Sequence, residues 1–247
     1  MLKALLFDMD DTLCDTQKAN AEAKIRLSRY VEETFSLHGQ GDNFADAYVT
    51  GIYRDWTDAQ KKRYLPIVQN QSEDAFRLCL IEDLLMAAGV KSVDDKSVSA
   101  IQEKFDRDRI EAFDFYPGIA EFLAEARQKF TLVVITNGPE FSQVPKVERI
   151  NLVDHVDHIL IGGQEPEQKP AKSIFDKALL LAGCEAHEAI HVGDSLAADI
   201  KGAHNSHITS VWIQHQQPLD AELGIEPSHT LMHPDEIPAL VWDLKQG

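Results

Sequence analysis

A stretch reading LKALLFDMDDT occupies residues 2–12, where a short apolar run is followed at once by three carboxylates. Apart from Lys3, the run is aliphatic or aromatic, which is typical of a buried strand of a parallel sheet. Ligands of open α/β sheets bind beyond the carboxyl ends of the strands. At such an end, Asp8 could attack phosphorus, while Asp10 could protonate the leaving oxygen and later activate water. The alternative interpretation is a solvated acidic turn that caps a helix.

Four further apolar runs resemble this one, and they predict a sheet. Helical patterns separate most of them, as at residues 174–179, where Gly183 then ends the helix. Strands that alternate with helices form a parallel sheet covered on both faces. The sequence therefore predicts an α/β fold with a Rossmann-like parallel sheet core. The four runs lie at residues 131–136, 158–161, 190–193 and 209–213.

One interval breaks this alternation, because residues 18–112 contain no convincing strand. Residues 36–56 are irregular in pattern and are left unassigned. We expect an all-helical cap domain, residues 18–112, inserted into an α/β catalytic core made of residues 1–17 and 113–247. The helices predicted in the cap are residues 19–35, 72–88 and 94–110.

Two more polar groups follow predicted strands. Thr136, Asn137 and Gly138 end the strand at residues 131–136, where a hydroxyl and backbone N–H groups at a helix start form an anion site. A strand followed by Asn-Gly is also an ordinary turn. Lys169 follows the next strand along the chain, so its charge could offset a phosphate at the same sheet edge. Taken alone, a lysine before a proline is usually a surface loop residue.

A last polar group follows the strand at residues 190–193. Gly193 allows a close backbone approach, and Asp194 could be a ligand of Mg²⁺, which takes few carboxylates together with waters and a substrate phosphate. Asp199 could orient Asp194 or Lys169. The alternative is that Asp194 or Ser195 caps the helix that follows, and both interpretations can hold together.

These groups occur in one chain, each at the end of a predicted strand, and their order makes a chance arrangement on one sheet edge improbable. In that order the chain resembles the haloacid dehalogenase-like hydrolase superfamily, in which a helical cap after the first motif is also usual. The matching motifs are Asp8-Met9-Asp10-Asp11-Thr12, Thr136-Asn137-Gly138, Lys169-Pro170, and Gly193-Asp194-Ser195 with Asp199.

The resemblance implies a role for each site residue. It makes Asp8 the nucleophile and a Mg²⁺ ligand, and Asp10 the acid and base that also gives its backbone carbonyl to the metal. It makes Asp194 the residue that completes the metal site. Dehalogenases of the family lack the second Asp, so Asp10 points to phosphate chemistry. The resemblance also implies that Thr136, Asn137 and Lys169 hold the substrate phosphate, and that Asp199 and Ser195 orient these groups.

We therefore predict a Mg²⁺-dependent phosphatase that hydrolyses a small phosphorylated metabolite, either a sugar phosphate or a nucleotide, through an aspartyl-phosphate. A phosphomutase would use the same core residues, and the sequence does not separate the two. A third possibility is a non-enzymatic module that accepts a phosphoryl group in signalling. Such receivers lack a large helical insert, and their acceptor is not at the first strand.

Composition limits the partners. The 247 residues carry a net charge of −17, which argues against nucleic acid and anionic membrane surfaces as the main partner. No stretch approaches the roughly 18 apolar residues of a spanning helix. Three widely spaced cysteines suggest a reducing compartment, and we expect a cytoplasmic protein. The sequence makes no prediction of oligomeric state.

Overall fold

Six strands of the computed structural model, which describes residues 1–218 and 224–246, form one parallel sheet in the order β3-β2-β1-β4-β5-β6. The predicted α/β fold with a Rossmann-like parallel sheet is confirmed. Strand β6 was not predicted because it is three residues long and buries only Leu231. The strands are Ala4–Phe7 (β1), Thr131–Thr136 (β2), His158–Ile161 (β3), Ala189–Gly193 (β4), Thr209–Ile213 (β5) and His229–Leu231 (β6).

Eleven α-helices lie among the described residues, six of them between β1 and β2. A single π-helical turn, Leu196–Ile200, follows β4 and runs directly into the tenth helix. In chain order the helices are Thr16–Phe35 (α1), Gly41–Ile52 (α2), Asp58–Asn70 (α3), Glu73–Ala87 (α4), Asp95–Ala112 (α5), Ile119–Ala126 (α6), Glu140–Arg149 (α7), Leu152–His155 (α8), Lys172–Ala182 (α9), Lys201–Asn205 (α10) and Ile237–Gln246 (α11).

The chain divides into two compact units. One consists of Met1–Thr16 with Phe113–Gly247, and the other is Gln17–Ala112. The assignment of these parts to a catalytic core and a cap stays a prediction. Among the described residues, no helix combines the length and the apolar character needed to cross a bilayer.

Both faces of the sheet are covered in the first unit. On one face, Leu6 of β1 packs with Ile174 and Phe175 of α9 in a fully buried cluster. On the other face, the ring of Phe7 meets Phe122 of α6 edge-on at 6.2 Å. Strands β1, β2, β4 and β5 are buried on both faces and are therefore apolar at most positions, which is why they could be predicted from sequence.

The second unit is all-helical in its described residues, and its core is aromatic. The rings of Trp56, Tyr64 and Phe76 lie 5.1–5.7 Å apart. Residues 36–56, which were left unassigned, contain α2, whose buried face includes Phe44 and Tyr48. Helix α3 was also missed, because it contains Pro66 and buries only Tyr64.

Candidate active site

The parallel register brings the predicted site residues to one edge of the sheet. Phe7, the last residue of β1, lies opposite Val134 of β2 and Val192 of β4. The backbone N–H of Asp8 donates to the carbonyl of Val192 at 2.9 Å, which fixes the direction in which Asp8 leaves the strand. The ends of β2 and β4, which carry Thr136 and Asp194, therefore flank Asp8.

A buried lysine links two carboxylates at this edge. Lys169, whose side chain is 1% exposed, donates from Nζ to Oδ1 of Asp8 and to Oδ1 of Asp199, the latter at 2.7 Å. The negative charges of Asp199 and Asp8 outweigh the effect of burial and raise the pKa of Lys169. The ammonium therefore stays charged beside Asp8.

Asp199 is held on both of its oxygens. Its Oδ1 also lies 2.9 Å from Nε2 of the buried His191, and its Oδ2 accepts from the backbone N–H of Ser195 at 3.0 Å. Burial alone would raise the pKa of Asp199. The Lys169 charge and these hydrogen bonds outweigh that effect and lower the pKa to about 2. Of the two sequence-based alternatives for Asp199, the structure supports contact with Lys169. Ser195 also caps the turn, because its Oγ accepts from the N–H of Ala198 at 3.2 Å.

Gly193 leaves room for the Asp199 carboxylate at the end of β4. A Cβ atom at residue 193 would lie 2.5 Å from Oδ2 of Asp199, a separation that real Cβ atoms do not show. The π-helical turn Leu196–Ile200 brings Asp199 back over the end of β4. A glycine is therefore required at the end of this strand for steric reasons, in agreement with the sequence-based interpretation.

Three carboxylates converge near the nucleophile position. Asp8, Asp194 and Asp199 each offer an oxygen, and these oxygens lie within 4.8 Å of one another. Burial, followed by the charge of Asp8, raises the pKa of Asp194 to about 9. Burial likewise raises the pKa of Asp8 to about 7, against the lowering effect of Lys169. An all-carboxylate oxygen set of this kind suits Mg²⁺. Because both oxygens of Asp199 are engaged, Asp8 and Asp194 are the side chains suited to hold the ion.

Asp10 makes two contacts that the sequence did not predict. Its Oδ1 accepts from the hydroxyl of Thr16 at 2.5 Å and from Nζ of Lys146 at 2.7 Å. Lys146 is a residue of α7, and its side chain is only 2% exposed. A lysine on a buried helix face was the available signal, but sequence alone does not say which acid such a lysine meets.

Two side chains that follow β2, those of Asn137 and Gln143, form hydrogen bonds with backbone atoms at the site. Asn137 was expected to hold phosphate, and that role stays a prediction; its side-chain amide is bonded to the backbone of Lys169. Its Nδ2 donates to the Lys169 carbonyl at 2.8 Å, and its Oδ1 accepts from the Lys169 N–H at 2.9 Å. Gln143 in turn donates from Nε2 to the Asn137 carbonyl at 2.7 Å. Thr136 is buried at the end of β2, and its role toward phosphate stays a prediction.

Comparison with known proteins agrees with this geometry. A family model of haloacid dehalogenase-like hydrolases matches residues 2–207. The chain is 23% identical to N-acylneuraminate-9-phosphatase from Homo sapiens, over 97% of this chain and 94% of that protein. It is 28% identical to glyceraldehyde 3-phosphate phosphatase from Pyrococcus abyssi, over 87% of this chain and 82% of that protein.

A solved structure shares the fold across nearly the whole chain. YfnB from Bacillus subtilis, solved with bound magnesium, aligns with a TM-score of 0.69 at 22% identity. The alignment covers 97% of this chain and 98% of that one.

Proposed function

Since this chain belongs to the haloacid dehalogenase-like hydrolase family and is a phosphoric monoester hydrolase, we propose that it hydrolyses a small phosphorylated metabolite through an aspartyl-phosphate on Asp8, with Mg²⁺ as its cofactor. The observation that carries the proposal is the contact of Asp8 with Lys169 and its proximity to Asp194 at the carboxyl edge of the sheet. We also propose that the protein works in the cytoplasm, on a small substrate that is not part of a membrane or a nucleic acid.

Asp8 is the nucleophile in this scheme. The Lys169 ammonium on its Oδ1 favours the carboxylate form, which is the form that attacks. Attack forms a bond between a carboxylate oxygen and phosphorus, while the bond from phosphorus to the leaving oxygen breaks. Lys169 also supplies a fixed positive charge for the phosphoryl oxygens, and Thr136 supplies a buried hydroxyl at the end of β2.

Asp10 moves the proton in both half-reactions. It gives a proton to the leaving oxygen as the aspartyl-phosphate forms, so the product departs as a neutral alcohol. It then takes a proton from the attacking water, which releases inorganic phosphate and restores Asp8 and the protonated Asp10. A second carboxyl group at this position supports phosphate chemistry, because only an oxygen leaving group needs the proton.

The carboxylates of Asp8 and Asp194 would hold the metal, together with the backbone carbonyl of Asp10 that the family resemblance implies. When bound, Mg²⁺ neutralises phosphoryl charge that would otherwise be repelled by the acidic protein. Asn137 acts through Lys169 in this proposal, because its amide holds the backbone of that residue.

Two relatives support a substrate that is small and phosphorylated at a terminal hydroxyl. The chain resembles enzymes named for N-acylneuraminate 9-phosphate and glyceraldehyde 3-phosphate, and these compounds share a phosphate ester at the end of a hydroxylated carbon chain. We therefore favour sugar phosphates over nucleotides.

Phosphate release tests the proposal. The purified chain is assayed with MgCl₂ against sugar phosphates, triose phosphates, acyl-sugar phosphates and nucleotides, and the wild type is expected to release inorganic phosphate from at least one class. Excess EDTA and Asp8→Asn are each expected to remove turnover, while Asp176→Asn, a surface variant, keeps it. A product isomer without phosphate release would instead establish a phosphomutase. Substantial turnover by Asp8→Asn would overturn the covalent scheme.

A further inference from the structure

Lys146 lies outside the four sequence motifs and touches the residue that moves the proton. Its Nζ donates to Oδ1 of Asp10 at 2.7 Å, across 136 positions of sequence. We propose that Lys146 is a positioning residue for Asp10, and that it fixes the orientation in which the Asp10 carboxyl group meets the leaving oxygen. This inference rests on the proposed phosphatase function.

The burial of Lys146 is unusual. Its side chain is 2% exposed, whereas the side chain of Asp10 is 25% exposed. Lysines are rarely buried to this degree unless they are paired. The ammonium also lies 5.4 Å from the centre of the Phe113 ring, which stabilises a cation in a dry environment. The fold therefore places a positive charge behind Asp10, away from solvent.

The Lys146 ammonium shares its acceptor oxygen on Asp10 with a second donor. Thr16 donates to the same oxygen, Oδ1, at 2.5 Å, so two donors from separate elements meet on one atom. Hydrogen bonds from a charged donor are stronger than neutral ones, so the Lys146 ammonium is the firmer of the two contacts. Together the two donors also restrict rotation of the carboxyl group.

Helix α7 contacts both halves of the site from the same buried face. One helical turn before Lys146, Gln143 donates to the Asn137 carbonyl at 2.7 Å, and Asn137 holds the backbone of Lys169. Gln143 thus supports Lys169 through Asn137, while Lys146 contacts Asp10 directly. A variant of Gln143 can therefore be compared with a variant of Lys146 in the same helix.

The test separates loss of proton donation from general damage. For wild type, Lys146→Met and Gln143→Leu, kcat/KM is measured with the best alkyl phosphate substrate and with p-nitrophenyl phosphate, whose phenolate leaves without a proton. Lys146→Met is expected to lower kcat/KM for the alkyl ester at least about 10-fold more than for the aryl ester. Gln143→Leu is expected to lower both by the same factor. Lys177→Met, which removes a half-exposed lysine paired with Glu165, is expected to change neither.

The outcomes are distinguishable. Equal losses on both esters in Lys146→Met, or no loss on either, would show that Lys146 only supports the fold and would overturn the inference. If Lys146→Met does not fold, as judged by thermal unfolding, Lys146→Gln is measured under the same criteria. A wild type that releases no phosphate from either ester would overturn the proposed function and the inference with it.

Discussion

Lys169 donates to Asp199 at 2.7 Å while also contacting Asp8, so one buried cation is shared by two buried carboxylates. Asp199 is engaged on both oxygens and has no apparent role in bond making. Its position instead explains how Lys169 is kept charged and extended toward Asp8. The position of the Lys169 ammonium therefore depends on Asp199 as well as on Asp8.

Asp199→Asn tests this dependence. The amide nitrogen of asparagine replaces an acceptor with a donor, so it must face Lys169, His191 or the Ser195 N–H with the wrong polarity. We expect phosphate release to fall about 10- to 100-fold, in the range seen when groups behind a site are changed. Asp176→Asn removes an exposed carboxylate paired with Lys172 and serves as the control. Activity within twofold of wild type in Asp199→Asn would contradict the positioning role.

The raised pKa values of Asp8 and Asp194 predict how the metal-free protein responds to pH. Burial raises the first to about 7 and the second to about 9, while both titrate near 3.9 in an unfolded chain. Between these limits the folded state holds protons that the unfolded state has released, so these groups lower the free energy of unfolding as pH rises. Asp199, with its pKa lowered to about 2, acts in the opposite sense and only below about pH 4.

Asp194→Asn isolates this effect, because asparagine does not titrate. In EDTA, the variant is expected to have a higher Tm than wild type, with a gain that grows from pH 5 to pH 8 and reaches at least about 3 °C. Added Mg²⁺ should then raise the Tm of wild type, more at pH 8 than at pH 5, because ligand carboxylates must be ionised. The variant should show little response to Mg²⁺. A gain that is constant with pH would contradict the argument from burial.

The strands and the shared sheet edge could be predicted from sequence for a specific reason. A strand buried on both faces is apolar throughout, and polar residues such as Asp8 and Asp194 therefore mark where it ends. Parallel strands end at the same edge, so the residues after them are neighbours without further information. The catalytic roles of these residues stay predictions.

Contacts between side chains from distant segments could not be predicted in this way. Lys146 lies in a helix that contains Pro145, which hides the helical pattern, and its partner Asp10 is remote in sequence. Asn137 is predicted to hold phosphate because it follows a strand, and that role stays a prediction. The contact of its side-chain amide with the backbone of Lys169 is set by how two loops meet. Periodicity identifies a buried face, but it does not identify the partner of a polar group on that face.

Asn137→Ala tests the support given to Lys169. The substitution removes two hydrogen bonds to the Lys169 backbone, each contributing about 1 kcal/mol. We expect kcat/KM for phosphate release to fall about 10-fold, equally for alkyl and aryl phosphates, because the change acts on phosphate binding and not on the leaving group. Asn70→Ala is a matched control, since its amide also donates to a backbone carbonyl but lies in the helical unit. A loss confined to alkyl phosphates would place Asn137 with Asp10 instead.

Gly193→Ala tests the close approach on which the site is built. The added methyl group would meet Oδ2 of Asp199 at 2.5 Å, and neither β4 nor the following turn has room to yield, since the neighbouring Val192 and Ile200 are fully buried. Asp199 must therefore move, and Lys169 loses a partner. We expect the free energy of unfolding to fall by about 1–3 kcal/mol and phosphate release to fall at least as far as in Asp199→Asn. The double variant Gly193→Ala with Asp199→Asn should be no less active than Gly193→Ala alone, because the methyl group acts through Asp199. Losses that multiply in the double variant would show that Gly193 serves the site by another route.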